Sequence, residues 1–202
     1  MTVERGRDWG DVGPAPDDLV TVRSDAEARA VLEEARRASR PLPPLGLLGG
    51  DLCRTLGGRA DEARLREAPT LLTVDLGVAL LDGRLHLFVA HLVLRRSWWR
   101  GRVVALMNAE HLGPWDVAPR AHPGDGRLDL LDGDLSPGDR VKARARLPAG
   151  THVPHPGITQ RRVAAWTAEL DRPTPCWLDG ERVGEARTVA VRLEPDAVRV
   201  AV

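Results

Sequence analysis

The chain has 202 residues, 43% hydrophobic and 29% charged, with 29 Lys+Arg balancing 29 Asp+Glu. These values describe a globular protein able to bury a core, in one domain or two small ones, rather than a disordered chain. Zero net charge supplies no field to draw nucleic acid, so none is expected as a partner.

Lys142 is the only lysine. The arginine excess, with abundant Ala, Gly and Pro, is the pattern of a GC-rich bacterial gene, and it removes any P-loop, which needs a GK[ST] lysine. Cys53 and Cys176 lack CxxC or Cys/His spacing, so neither a zinc site nor a disulfide framework is expected. No run approaches 18 apolar residues, and "MTVERGRDWGDVG" does not read as a signal peptide. The expectation is a cytoplasmic protein with no transmembrane segment.

In chain order, residues 1–18 are rich in Gly, Pro and Asp and read as a flexible arm. "LVTV" (19–22) is a short strand. "SDAEARAVLEEARRAS" (24–39) gives a helix with Ala28, Val31, Leu32 and Ala35 on one face, opened by a capping box of Ser24 and Glu27. "LGLLGG" (45–50) reads as a buried strand turning into the short helix "DLCRTLGG", which glycine stops. After the polar stretch "RADEARLREAP" the period changes to that of strands. "LLDGRLHLFVAHLVL" is a hairpin on Asp82-Gly83, and "RVVALMNA", "GRLDLLDG", "VKARARL", "RVAAWTAEL", "TPCWLDGERV", "ARTVAVRLE" and "AVRVAV" follow as strands. The domains expected are therefore 19–69, a small α/β unit, and 70–202, an antiparallel β-sandwich whose last strands can pack back on the first unit. The fold class is α+β.

Several residues have two readings. Asp179-Gly180-Glu181 is either a solvated hairpin tip or a carboxylate pair for proton transfer. His152 and His155 are spaced HxxH, but the prolines after each keep the segment extended, which sets the rings apart. Trp98 and Trp99, in "RRSWWRGR", are either core or a lipid- or partner-facing surface. Asn108 either orients the loop after its strand or ends that strand in a turn.

The order of four motifs resembles the diacylglycerol/sphingosine kinase family of lipid kinases, over roughly Leu45 to Val202. "PLGLLGGDLCRTLGG", "VVALMNAEHLGPWDVAPRAHPGDGRLDLL", "THVPHP" and "CWLDGERVG" are similar to that family's plgilPlGTgNDfARtLG, vvvmNgrylGgg-aPdA-pdDGlLDvv, g-H-p and p-DGE. The resemblance implies an α/β nucleotide-binding domain followed by a β-sandwich, with an NAD-kinase-like fold and the active site between them. It implies Glu181 as general base with Asp179 beside it, and Asp125 as a ligand of a structural Mg²⁺ or Ca²⁺.

The departures fall in the nucleotide half. The family's GGDGT loop aligns with Arg23-Ser24-Asp25-Ala26-Glu27, where only Asp25 matches. The GTgND loop is shortened to Gly49-Gly50-Asp51; for Asp51 the plain alternative is a helix N-cap. The expectation is a degenerate, N-terminally shortened member: a non-catalytic relative that binds lipid, with peripheral membrane contact. Two alternatives stay open. One is an active lipid kinase using ATP and Mg²⁺ through Glu181, the only case that brings those cofactors. The other is an interaction subunit docking on a complete kinase or, as a homodimer, on itself.

Overall fold

The computed structural model describes residues 9–202. The chain runs β1 (Asp11–Val12), β2 (Val20–Val22), α1 (Asp25–Arg37), β3 (Leu45–Leu47), α2 (Gly50–Thr55), α3 (Glu62–Glu67) and β4 (Thr70–Leu81). Then come β5 (Arg84–Phe88), β6 (His91–Arg95), β7 (Val103–Met107), β8 (His111–Leu112), β9 (Trp115–Asp116), β10 (Leu128–Gly133) and α4 (Pro137–Arg146). The last strands are β11 (Ile158–Val163), β12 (Ala165–Leu178) and β13 (Glu181–Ala201).

The sandwich is built from long, bent strands. The main path is β1-β4-β13-β12-β6-β7-β10-β11, with β5 on β4 and the parallel pair β2-β3 joined to β13. All pairings are antiparallel except β2-β3 and β3-β13. In β13, register shifts between Glu194 and Val198 against β4 let one strand serve two cores. Ala186, Val189, Val191 and Leu193 pack in the sandwich core with Leu92, Leu94, Leu106 and Leu178. Val198 and Val200 pack in the α/β core with Leu32, Leu45, Leu52, Val74 and Leu76.

The middle strands are apolar on both faces, which explains unbroken runs such as "LHLFVAHLVL". Leu92 and Leu94 of β6 face the sandwich core, whereas Val93 joins Ala105, Met107 and Leu131 in a third cluster behind it. Of the stretch 1–18, residues 1–8 lie outside the described residues. Trp9 packs on the α/β core and stacks on His122, and Asp11–Val12 pairs with Thr70 and Leu71.

The helix at 24–39 forms as its cap requires. Ser24 Oγ accepts the Glu27 N–H (3.1 Å), and Glu27 Oε2 accepts the Arg23 N–H (2.7 Å). Two segments differ from the sequence reading. "VKARARL" is not a strand but most of α4, capped by Ser136 with Pro137 in its first turn and Asp139 bonded to the cap. The alternation misled because Val141 is not inward: it is 60% exposed. "RADEARLREAP" holds α3, where Asp61 accepts the N–H groups of Ala63 and Arg64 and only Leu65 is buried. Among the described residues no helix is long and apolar enough to cross a membrane.

Candidate functional site

The β12–β13 hairpin turns on Asp179 and Gly180, with φ of +50° and +85°. That double positive φ is the two-residue turn that Asp-Gly favours, and Gly180 tolerates it because it has no Cβ. The tip is not a pair of solvated carboxylates. Asp179 is buried and its carboxylate accepts three backbone N–H groups, from Val89 (3.1 Å), Ala90 (2.9 Å) and His91 (3.2 Å). Asn108 fixes that donor loop, giving its side-chain N–H groups to the carbonyls of Val89 (2.8 Å) and Asp75 (3.0 Å). Asn108 therefore orients the loop before β6 as well as ending β7.

Glu181 leaves the tip toward α1. Its Oε2 accepts from Arg29 Nη2 at 2.6 Å, and Arg29 Nη1 donates to the Leu178 carbonyl at 2.6 Å. The Arg29 side chain is 8% exposed and that of Glu181 63%. An isolated surface pair contributes little, but a buried guanidinium loses its counter-charge when the partner is cut. Glu181→Ala is therefore expected to lower stability by about 1–2 kcal/mol, beyond the roughly ±0.5 kcal/mol of an ordinary surface change. Urea denaturation measures it; a loss inside that range would mean that water replaces the carboxylate.

The starts of α1 and α2 come together beside Asp179. Asp25, on the first turn of α1, turns its carboxylate onto the start of α2, accepting the Asp51 N–H (2.5 Å) and the Leu52 N–H (3.1 Å). Gly50 allows this approach: its φ is +95°, and a Cβ there would overlap Asp25 Oδ1. A Cβ on Gly49 would overlap the Arg23 carbonyl. Asp51 is not the helix cap, a place taken by Gly49. Its carboxylate instead accepts the Gly113 N–H (2.9 Å) and meets His91 Nε2 at 3.0 Å.

Asp25, Asp51, Asp179 and His91 thus form one buried cluster. Burial and then the charge of Asp179 push Asp25 up to about 7. Burial also raises Asp179, against the opposing pull of His91 and its three N–H donors. Burial works to raise Asp51, but His91 and the Gly113 N–H hold it below the usual carboxylate range. Burial works to lower His91, but the Asp51 hydrogen bond and the surrounding carboxylates lift it above an ordinary histidine. Burial thus favours a proton on Asp25, the contact between Asp51 and His91 favours the charged form of both, and His91 Nδ1 is buried without a hydrogen-bond partner.

Asp125 lies elsewhere. It ion-pairs with Arg162, its Oδ1 accepts the Arg127 N–H, and no group of three or more His, Cys, Asp or Glu among the described residues could hold a metal. His152 is buried; His155 takes the Gly157 N–H on its own Nδ1.

An apolar cleft of about 380 Å³ opens against Gly180, Asp51 and His91. Its floor is one face of β6, and Trp98, Trp115 and Trp177 wall it. A smaller cavity of about 130 Å³ shares the Trp98, Leu112 and Trp115 walls and runs under α4. Trp98 is half-buried in this wall and Trp99 is exposed. The sequence reading passed over His91, Arg29, Arg95, Trp115 and Trp177. Two had a visible signal: His91 interrupts the apolar run "LFVAHLVL", and Arg29 falls on the helix face of Ala28 and Leu32.

The segment 71–202 matches the model of the YegS C-terminal NAD kinase β-sandwich-like domain. Three solved structures of Bacillus anthracis proteins described as diacylglycerol kinases share the fold, each at 16% identity over 91% of this chain. Their TM-scores are 0.70, 0.62 and 0.66, over 77%, 75% and 77% of those chains. No curated protein matches the chain. The family match spans most of the sequence and the same strands that carry the cleft and the Asp179 hairpin, so the protein belongs to the YegS-type diacylglycerol/lipid kinase family.

Proposed function

We propose that this chain is a non-catalytic, lipid-binding relative within its family. The observation that carries the reading is the Asp25 carboxylate seated on the first N–H groups of α2. Together with Ser24 Oγ on the Glu27 N–H, it fills both helix starts that the resemblance assigns to nucleotide phosphates with the chain's own oxygens. A phosphate brought to about 4 Å of the Asp51 carboxylate would be repelled by roughly 4 kcal/mol at an effective dielectric near 20. Glu181, the base in the active-kinase reading, is tied to Arg29 instead of facing a free site.

The cleft supports the lipid half of the reading. Indole and aliphatic walls beside Gly180 suit an acyl chain, and polar side chains at the ends of the cleft leave room for a head group. For the subunit reading the favouring observation is the exposed cross-strand pair Leu80 and Leu85, at the β4–β5 edge. Two side chains fall far short of the area that a stable interface buries, so the homodimer ranks below the lipid reading.

A thermal-shift titration with Mg²⁺·ATP tests the proposal. Ligand at ten times Kd would stabilise the fold by about 1.4 kcal/mol, so the expected result is no saturable rise in Tm up to about 1 mM nucleotide. A saturable rise below that concentration, with lipid phosphorylation lost in Glu181→Gln, would replace the reading with the active kinase.

A further inference from the structure

Arg95 has a buried Nε without a hydrogen-bond partner and forms no ion pair with any described residue. Its Cζ lies over two indoles, 4.2 Å from the Trp98 ring centroid and 4.3 Å from that of Trp177. Burial alone acts on its pKa, downward, with no carboxylate opposing it. Arg95 is half-buried, and a guanidinium partly removed from water without a counter-charge is unfavourable, a cost that stacking on two indoles offsets only in part. What the two tryptophans do accomplish is orientation: the planar donor fork is fixed in advance of any ligand.

This cation sits in the wall of the tryptophan cleft. His91, Val93 and Arg95 alternate along β6 and so share the face that forms the cleft floor. Arg95 and His91 are four residues apart, about 13 Å along the strand. The cleft therefore has, at one end, a cation with no ion-pair partner among the described residues and, at the other, the paired Asp51 and His91 side chains. An anion is drawn to the Arg95 end, where no carboxylate competes for the guanidinium.

We infer that the cleft takes a single-chain amphiphile with an anionic head, carboxylate or phosphate, seated on the Arg95 guanidinium. The tail lies against Trp98, Leu112 and Trp115, the residues shared with the cavity under α4. The volume of about 380 Å³ suits one chain of medium length. Oxyanion heads of both kinds match the fork of Arg95 in two parallel N–H···O bonds. The inference rests on the lipid-binding reading above and adds to it the charge of the head and the residue that selects it.

Tryptophan fluorescence of the full chain tests this, because three indoles wall the site. The probes are dodecanoate, dodecyl phosphate, dodecanol and dodecyltrimethylammonium, each titrated below its micelle concentration. Saturable changes are expected with the two anions, with dodecanol at least about tenfold weaker and the ammonium weaker still. The tighter of the two anions identifies the head. Arg95→Gln should remove the tenfold preference while leaving dodecanol binding in place; Arg95→Lys should recover part of it, with charge but no fork. Dodecanol or the ammonium binding the wild-type chain as well as dodecanoate would overturn the inference, and this arm needs no variant to fold. So would a preference for anions that survives Arg95→Gln. Binding of no amphiphile of any charge would instead remove the lipid-binding reading itself.

Discussion

Asp179→Ala is expected to lower the stability of the chain by about 3–5 kcal/mol, seen as a fall in the urea midpoint with an unchanged slope. The carboxylate is the shared acceptor of three backbone N–H groups, those of Val89, Ala90 and His91. Val89 and Ala90 form the bend that joins β5 to β6, and His91 opens β6. Alanine would orphan all three donors in a region without solvent, and each buried donor left unpaired costs about 1–3 kcal/mol. Relief of the repulsion between Asp179 and Asp25 offsets part of the loss, which is why the total stays below the sum. Asp179→Asn keeps one acceptor oxygen and should fall between the two. An alanine variant losing less than about 1 kcal/mol would mean that water fills the void and satisfies the loop.

The consequence for the cleft is direct. His91 stands on the loop that Asp179 ties down, and the Asp179 N–H in turn donates to the His91 carbonyl (3.0 Å). The hairpin tip and the cleft floor are therefore one hydrogen-bonded unit. Asp179 is a structural anchor of the site before it is anything else.

Much of the fold is legible in the sequence because it is written locally. Ser24 and Glu27 cap α1, Asp82-Gly83 turns the β4–β5 hairpin, and Asp179-Gly180 turns β12–β13, all within four residues. The order of motifs then places the sandwich, and the family match agrees over 71–202. What stayed hidden is set by distant partners. "VKARARL" alternates like a strand, and only the Ser136-Pro137 start says helix. The polar stretch before β4 concealed α3, whose single buried side chain gives almost no apolar period.

The site divides in the same way. Asp25, Gly49, Gly50, Asp51 and Asp179 are brought together, but their bonds run to each other and to the backbone. Asp25 reaches a helix 26 positions away, and Asp179 a loop 90 positions away. Arg29 and Glu181, 152 positions apart, have no sequence signature as a pair. A cation ligand at Asp125 is implied by the resemblance alone, and its own Gly-Asp-Gly surroundings do not say what meets the carboxylate. The Arg162 guanidinium that meets it comes from a separate strand, β11.

Asp25→Asn is expected to stabilise the protein at alkaline pH, by about 2 kcal/mol near pH 8, while changing it little near pH 5. Asp25 is 6% exposed, and burial first, then Asp179, raises its pKa to about 7 from 3.8. A carboxyl whose folded pKa is raised holds its proton more tightly folded than unfolded. Its contribution is therefore fully present below about pH 4 and is lost as pH rises through about 7. His91, also raised, has the same sign and is lost above its own folded value. Asp51, lowered, has the opposite sign, but its contribution is lost only in acid, at and below the ordinary carboxylate range. Between about pH 5 and 8 the raised groups dominate, so Tm of the wild-type chain should fall across that window. Asparagine keeps an oxygen to accept from α2 and carries no charge, so Tm against pH should be flatter and cross above the wild type. Parallel curves would show that the folded pKa of Asp25 is not raised, its charge being fully met by the N–H groups of Asp51 and Leu52.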